Sequence, residues 1–299
     1  MSFRSIIISN PAILNLKNNN LIITNEEEFQ IPIEDISVLV IEGVSVRLTN
    51  KLLSKLAENN VVTIICDEKH LPSSIVLPLN IHYKSYRVLK QQFNQSAAFS
   101  KRIWQSIIKQ KLFNQGKCLE ILSIEGAEFL NKLSNSVESG DKGNREAIGA
   151  KYYLKSLFGK EFTRDDESGF NAALNYGYTI MRSAVARTLV MYGFNTALGV
   201  NHCNELNSFN LADDFMEPLR PIVDLWVYNN INYDDVLTKE HRIALVDLIN
   251  SQCIIDKQNH SILNAIDKMV ASYTTACSKK DFRLLKLPLI KPLEYHYYE

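Results

Sequence analysis

Residues 201–224 read NHCNELNSFNLADDFMEPLRPIVD, and the rest of the chain is best read outward from them. A lone histidine, His202, stands upstream of a run carrying Asp213, Asp214 and Glu217, with Arg220 one turn further on. The spacing predicts a helix on which Asp213 and Asp214 both neighbour Glu217, because side chains three and four apart share a face. Carboxylates packed this closely repel unless a cation sits among them. One imidazole with carboxylate oxygens is a donor set suited to Mg²⁺ or Mn²⁺. Acidic helix faces are also often solvated or held in ion pairs, so the motif alone leaves a metal site and a structural network both open. Pro218 and Pro221 predict a kink or break within 207–230.

Upstream, the periodicity is helical from about residue 81. Helices are expected over 83–94 and 97–115, then a polar loop at 136–144. REAIGAKYYLKSLFG follows as a helix stopped by Gly159, and a longer one runs from a cap at Ser168 to a stop at Gly193. Gly149 and Ala150 on the first, with Ala172, Ala173 and Gly177 on the second, allow close backbone approach. Glu146 lies in the first turn of its helix, with Gly149, Ala150 and Tyr153 on the same face. It therefore points inward and needs a partner: a neighbouring cation, a lysine or a metal, of which an ion pair is favoured on physics alone. Downstream, 234–250 and 262–276 read as helices, and the tail LPLIKPLEYHYYE is expected to be loose or partner-bound.

The first 80 residues differ in character. Short Ile- and Val-rich runs at 5–8, 12–17, 21–24, 28–33, 37–41 and 61–66 predict strands. ILNLK-NNN-LIIT predicts a hairpin, since asparagine tolerates positive φ. A helix is expected at 49–59 with Thr49 as its cap, and Pro72 and Pro78 mark a linker. The fold class is α+β: a small β-rich N-terminal domain (1–80) followed by a larger all-α domain (81–299).

The chain of 299 residues is 46% hydrophobic and 22% charged, as ordinary globular proteins are. No apolar run nears the roughly 18 residues of a membrane helix, and the start lacks the pattern of a signal peptide. Five scattered cysteines without a CxxC pair point to reduced thiols and a cytoplasmic setting, against a disulfide framework or zinc knuckles. A thiol nucleophile at Cys203 is disfavoured, because adjacent side chains point apart. Net charge is zero, yet residues 81–119 carry Lys84, Arg87, Lys90, Lys101, Arg102, Lys109, Lys111 and Lys117 with no Asp or Glu. Local field rather than total charge governs phosphate contact, so this segment, with Tyr83, Tyr86 and Trp104 interleaved, is a candidate DNA-backbone surface.

The order of three segments carries a resemblance: REAIGAKYY, then LNYGYTIMRSAVARTLVMYGFN, then GVNHCNELNSFNLADDFMEPLRPIVD. Over nearly its whole length the chain resembles the CRISPR-associated integrase, the larger subunit of the spacer-acquisition complex, in the form accompanying type II systems. The resemblance implies a metal triad at Glu146, His202 and Glu217, the last position being Asp in some relatives. It places Asp214 as a second acidic residue and Arg220 as a basic residue beside the site, with Mg²⁺ or Mn²⁺ as cofactor. It implies that 3′-hydroxyl ends of a short DNA duplex are joined to the CRISPR repeat by transesterification. Lys84, Arg87, Lys101, Arg102 and Tyr176 are the candidate DNA contacts, with Tyr178 as an alternative tyrosine. Implied partners are the incoming duplex and repeat DNA, a second copy of the chain through residues 1–80, a small ferredoxin-like subunit and the type II effector nuclease. Two other readings use the same residues: a metal-dependent DNase acting on branched DNA, and a DNA-binding scaffold in which the triad is structural.

Overall fold

The computed structural model describes residues 4–77 and 84–295, and these fall into two compact units that divide at the same gap. In the first unit, β1 (Arg4–Ile8), β2 (Ile13–Lys17), β3 (Asn20–Thr24), β4 (Glu28–Pro32), β5 (Ile36–Ile41), β6 (Arg47–Leu48), α1 (Asn50–Glu58), β7 (Val62–Cys66) and β8 (Pro72–Val76) follow in order. They make two four-stranded sheets, β1-β5-β7-β8 and β4-β3-β2-β6. Asn18 and Asn19 both take positive φ, 49° and 60°. That conformation closes the β2–β3 hairpin in two residues. Thr49 caps α1, accepting from the Leu52 N–H at 3.4 Å, and Leu52 and Leu56 join Leu14, Leu21, Ile33, Ile36 and Leu39 in one core. Pro72 does not end the strand pattern: it opens β8, where a residue without an N–H is tolerated. Pro78 and Tyr83 lie outside the described residues.

The second unit contains α2 (Ser85–Phe93), α3 (Ala97–Ile121), α4 (Ala127–Asn135), α5 (Arg145–Phe158), α6 (Gly169–Met191), α7 (Asn210–Met216), α8 (Arg220–Asn230), α9 (Lys239–Asp247), β9 (Ser251–Ile255), β10 (Gln258–Ser261), α10 (Ile262–Lys279) and β11 (Leu289–Tyr295). Ser96 and Ser168 cap α3 and α6 by accepting from Phe99 and Asn171 N–H groups at 3.2 and 3.3 Å. A Cβ on Gly149 would stand 2.1 Å from Leu112 Cδ2, so α5 lies against α3 as only glycine allows. At Gly177 the same test meets Val223 at 2.5 Å, which fixes α6 against α8. Between α7 and α8 the chain tightens into a 3-10 turn, Glu217–Leu219, as expected where Pro218 and Pro221 interrupt the helix.

This unit is mostly helical rather than all-α. A three-stranded antiparallel sheet, β10-β9-β11, packs within it. Its hairpin turns at Asp256 and Lys257, both at positive φ, a pair without the Asn-Gly signature of such turns. As far as Tyr295 the tail is correspondingly not loose: Ile290 pairs with Cys253 in β9 and is 1% exposed. No helix among the described residues is long and apolar enough to cross a membrane.

Candidate active site

His202 sits at the end of a loop held shut by one carboxylate. Asp214, fully buried on α7, accepts the N–H groups of Val200, Asn201 and His202 at 2.5, 3.0 and 3.1 Å. Its Oδ1 also lies 2.7 Å from His202 Nδ1. Gly199 makes this closure possible, since a Cβ there would meet the His202 carbonyl at 2.2 Å and the Asp214 carboxylate at 2.9 Å. Trp104 of α3 presents its ring edge-on to the imidazole, 5.7 Å between centroids. The hydrogen bond that His202 donates to Asp214 raises the imidazole pKa against the opposing effect of partial burial. The imidazole also lines a cleft of about 530 Å³ with Gln92, Phe93, Asn204, Asn207 and Tyr273.

Glu146 and Glu217 come together from the opposite side. Asp141 accepts the Arg145 and Glu146 N–H groups at 2.9 and 3.0 Å and so fixes the start of α5. One turn on, Gly149 meets Leu112, which brings Glu146 against the preceding residue of α3, Lys111. The Lys111 ammonium contacts the Glu146 carboxylate and stands 2.5 Å from Glu217 Oε2. Glu217 Oε1 accepts from Arg220 Nε at 2.9 Å. Asn114, one turn along α3, donates to the Pro218 and Pro288 carbonyls at 2.7 and 2.9 Å and so pins the 3-10 turn that carries Glu217. Burial opposes ionisation of Glu217, but Arg220 and Lys111 outweigh it and hold the carboxyl down at about 2.

The acidic residues of the motif therefore diverge rather than share one face. Asp214 turns to the His202 loop and Glu217 to Lys111 and Arg220. Asp213 accepts from Asn207 Nδ2 at 2.6 Å and lies 3.9 Å from Arg182.

As placed, no three His, Cys, Asp or Glu side chains among the described residues stand close enough together to hold a metal ion. The donor chemistry nonetheless suits a hard divalent cation: two carboxylates and an imidazole whose Nδ1 is already engaged. Glu217 Oε2 is buried, with the Lys111 ammonium 2.5 Å away as its contact among the described residues. A buried, ionised oxygen in that state has lone pairs to offer.

Of the candidate DNA contacts, Lys84, Arg87, Lys101 and Arg102 are exposed. Arg102 lies 5.7 Å over the Phe282 ring. Tyr176 is 1% exposed and packs in the core of α6, so it presents no face to DNA. Trp104 and Lys111, read as parts of the basic surface, are also buried, at 6% and 5%. Tyr178 is hydrogen-bonded to Asp224, and Arg220 lies 4.5 Å over its ring. Lys111 is the member of this cluster that the basic-surface reading missed. The signal was present: positions three and four before it are Ile108 and Ile107, so it shares their buried face.

Comparison with known proteins follows the same lines. The family described as CRISPR associated protein Cas1 matches residues 6–258. The chain is 43% identical to the CRISPR-associated endonuclease Cas1 of Neisseria meningitidis serogroup C (strain 8013), over the whole of both chains. Among solved structures, a casposase bound to integration product aligns with a TM-score of 0.75 at 20% identity, covering 93% of each chain. A Cas6-RT-Cas1–Cas2 complex aligns at 0.71 and 18% identity, over 97% of this chain and 36% of that one. At these identities the structural likenesses speak to the fold alone.

Proposed function

The chain belongs to the CRISPR-associated Cas1 family, and from that premise we propose that it joins the 3′-hydroxyl ends of a short DNA duplex to a CRISPR repeat by metal-dependent transesterification. The observation that supports this best is the meeting of Glu146 and Glu217, from distant segments, at one buried cation. Glu217 also raises the pKa of the imidazole that Asp214 orients. Mg²⁺ or Mn²⁺ held by Glu146, His202 and Glu217 would supply Lewis-acid charge at the scissile phosphate.

The residues have separable tasks. Asp214 fixes His202 so that Nδ1 carries the hydrogen and Nε2 presents its lone pair. Glu146 and Glu217 supply hard oxygens. Arg220, gripping Glu217 through Nε and keeping a side-chain exposure of 27%, has a planar fork suited to a nonbridging phosphate oxygen. In the joining step a P–O bond forms to the attacking 3′-oxygen and the bond to the repeat's 3′-oxygen breaks. The attacking hydroxyl gives up its proton and the leaving oxygen gains one, so phosphodiester number is conserved and no water is consumed. Lys84, Arg87, Lys101 and Arg102 would position duplex backbone without reading sequence. A second copy through residues 1–80, a small ferredoxin-like subunit and the effector nuclease complete the proposed assembly.

Relatives named endonucleases keep hydrolysis in view, since water can attack through the same donors. Incubation of the chain and its small partner with a 3′-hydroxyl duplex and a repeat plasmid separates the readings. Joined products support integration, cleavage alone assigns the site to hydrolysis, and neither product makes the chain a scaffold.

A further inference from the structure

Lys111 stands on the face of α3 made by Ile107, Ile108 and Leu112, each 0% exposed. Only 6% of its side chain is exposed, and it lies between the carboxylates of Glu146 and Glu217. Arg220 holds the other oxygen of Glu217. Two carboxylates thus face two cations, and the charge is balanced before a divalent ion arrives. A site made only to hold such an ion would keep its negative charge in excess. At Glu217 Oε2 the ammonium, 2.5 Å away, occupies the place a divalent ion bound to that oxygen would take.

We propose that Lys111 is a built-in counter-cation that holds Glu146 and Glu217 together in the ion-free chain, competes with the divalent ion for the space between them, and passes to a DNA phosphate when the ion enters. The inference rests on the ligand reading of Glu146, His202 and Glu217 given above. An ammonium displaced from its carboxylates and left buried without an anion is strongly disfavoured. The incoming DNA supplies that anion. Ion binding and DNA binding therefore reinforce one another, and by linkage the coupling is the same in both directions. The consequence is a site that loads its ion weakly alone and firmly on DNA.

The test is Mn²⁺ binding to the full chain, read from the paramagnetic resonance of free Mn²⁺, with and without a duplex whose 3′-dideoxy ends cannot be joined. Lys111→Met should bind Mn²⁺ on the order of tenfold more tightly than the parent without DNA, and should gain less from added DNA. Equal affinities of parent and Lys111→Met would overturn the proposal. Glu217→Gln separates its failure from that of the ligand reading: if this variant binds Mn²⁺ as the parent does, the ligand assignment falls instead. A measurement on the parent chain alone covers the case in which Lys111→Met does not fold. Amine acetylation mapped by mass spectrometry should leave Lys111 protected without ions and label it several-fold more with Mn²⁺ present, with exposed Lys90 as the internal reference. Lys111 labelling that ignores Mn²⁺ would equally overturn the proposal.

Discussion

Asp214 Oδ1 lies 2.7 Å from His202 Nδ1, and the same carboxylate accepts three consecutive backbone N–H groups from residues 200–202. With those amide hydrogens directed at it, Asp214 acts as an acceptor throughout, so Nδ1 carries the hydrogen and the tautomer is set. Asp214 is thus a positioning residue for His202. Asp214→Asn turns one acceptor oxygen into a donor against this ring of hydrogens. Strand joining should fall by roughly 10- to 100-fold, the range for partners that orient metal-binding histidines, with Mn²⁺ affinity falling alongside. Joining within twofold of the parent, in a variant with unchanged circular dichroism, would remove Asp214 from this role.

Alanine at Glu146, His202 or Glu217 should lower strand joining by roughly a thousandfold, about 4 kcal/mol of lost barrier reduction. The stabilities should differ among the three. Glu217→Ala strips both Lys111 and Arg220 of a buried partner, which typically costs about 3–5 kcal/mol, whereas the His202 side chain is 42% exposed and its removal should cost much less. Thermal melts paired with joining assays report both quantities. A fully active Glu146→Ala would take that residue out of the site.

Asp224 gives a pH signature away from the candidate ligands. Burial raises its pKa from 3.8 to about 6, against the hydrogen bond from Tyr178 and the nearby Arg220. A carboxyl whose folded pKa lies above its unfolded value favours folding fully below about 3.8, and that contribution is lost as pH rises through about 6. The full span is on the order of 3 kcal/mol. Asp224→Asn should therefore gain stability relative to the parent between pH 4 and pH 6 and hold that gain at pH 7. Denaturation midpoints of both proteins across this window would show it, and parallel profiles would contradict it.

Sequence pattern carried the parts of this fold that depend on near neighbours. The Asn18-Asn19 turn, the Thr49 and Ser168 caps and the break at Pro218 each follow from local chemistry, and each appears. What escaped it depends on distant partners. β11 exists because Ile290 finds Cys253, and neither residue announces the other. Lys111 looks like surface in a run of cations until Gly149 is seen to bring Glu146 against α3. Tyr176 read as a DNA contact because tyrosine suits both a core and a groove, and only packing decides between them. The His202-to-Arg220 motif was legible as a candidate site, but the separate partners of Asp213, Asp214 and Glu217 were not, because Asn207, the His202 loop and Lys111 come to them from other parts of the chain.

The exposed cations of α2 and α3 should be measurable as released counterions. With Lys111 buried, Lys84, Arg87, Lys90, Lys101 and Arg102 remain exposed there. If about four of them touch phosphates, the log–log salt dependence of duplex binding should include a slope contribution near −3.6. Reversal of Lys101 and Arg102 to Glu should weaken binding to all duplexes alike and flatten that slope. An unchanged slope would assign this surface to solvent.

On the proposed function, integration at both ends of one repeat needs two catalytic centres, which a chain with one such site would supply by self-association. The first unit has an edge suited to this. Phe29 on edge strand β4 stands in one cross-strand row with Ile23 and Leu14. Those two are buried, at 8% and 0%, while Phe29 is 48% exposed. The row that forms the core thus ends on the edge strand at an exposed Phe29, and among the described residues β4 pairs on one side only. A second copy laid along this edge would cover both. Light scattering should give about twice the 34.1 kDa chain mass, and Phe29→Asp should return the protein to a monomer with its helical circular dichroism intact. A parent chain that is monomeric at micromolar concentration would sink the assembly, and a dimer that survives Phe29→Asp would move the contact elsewhere.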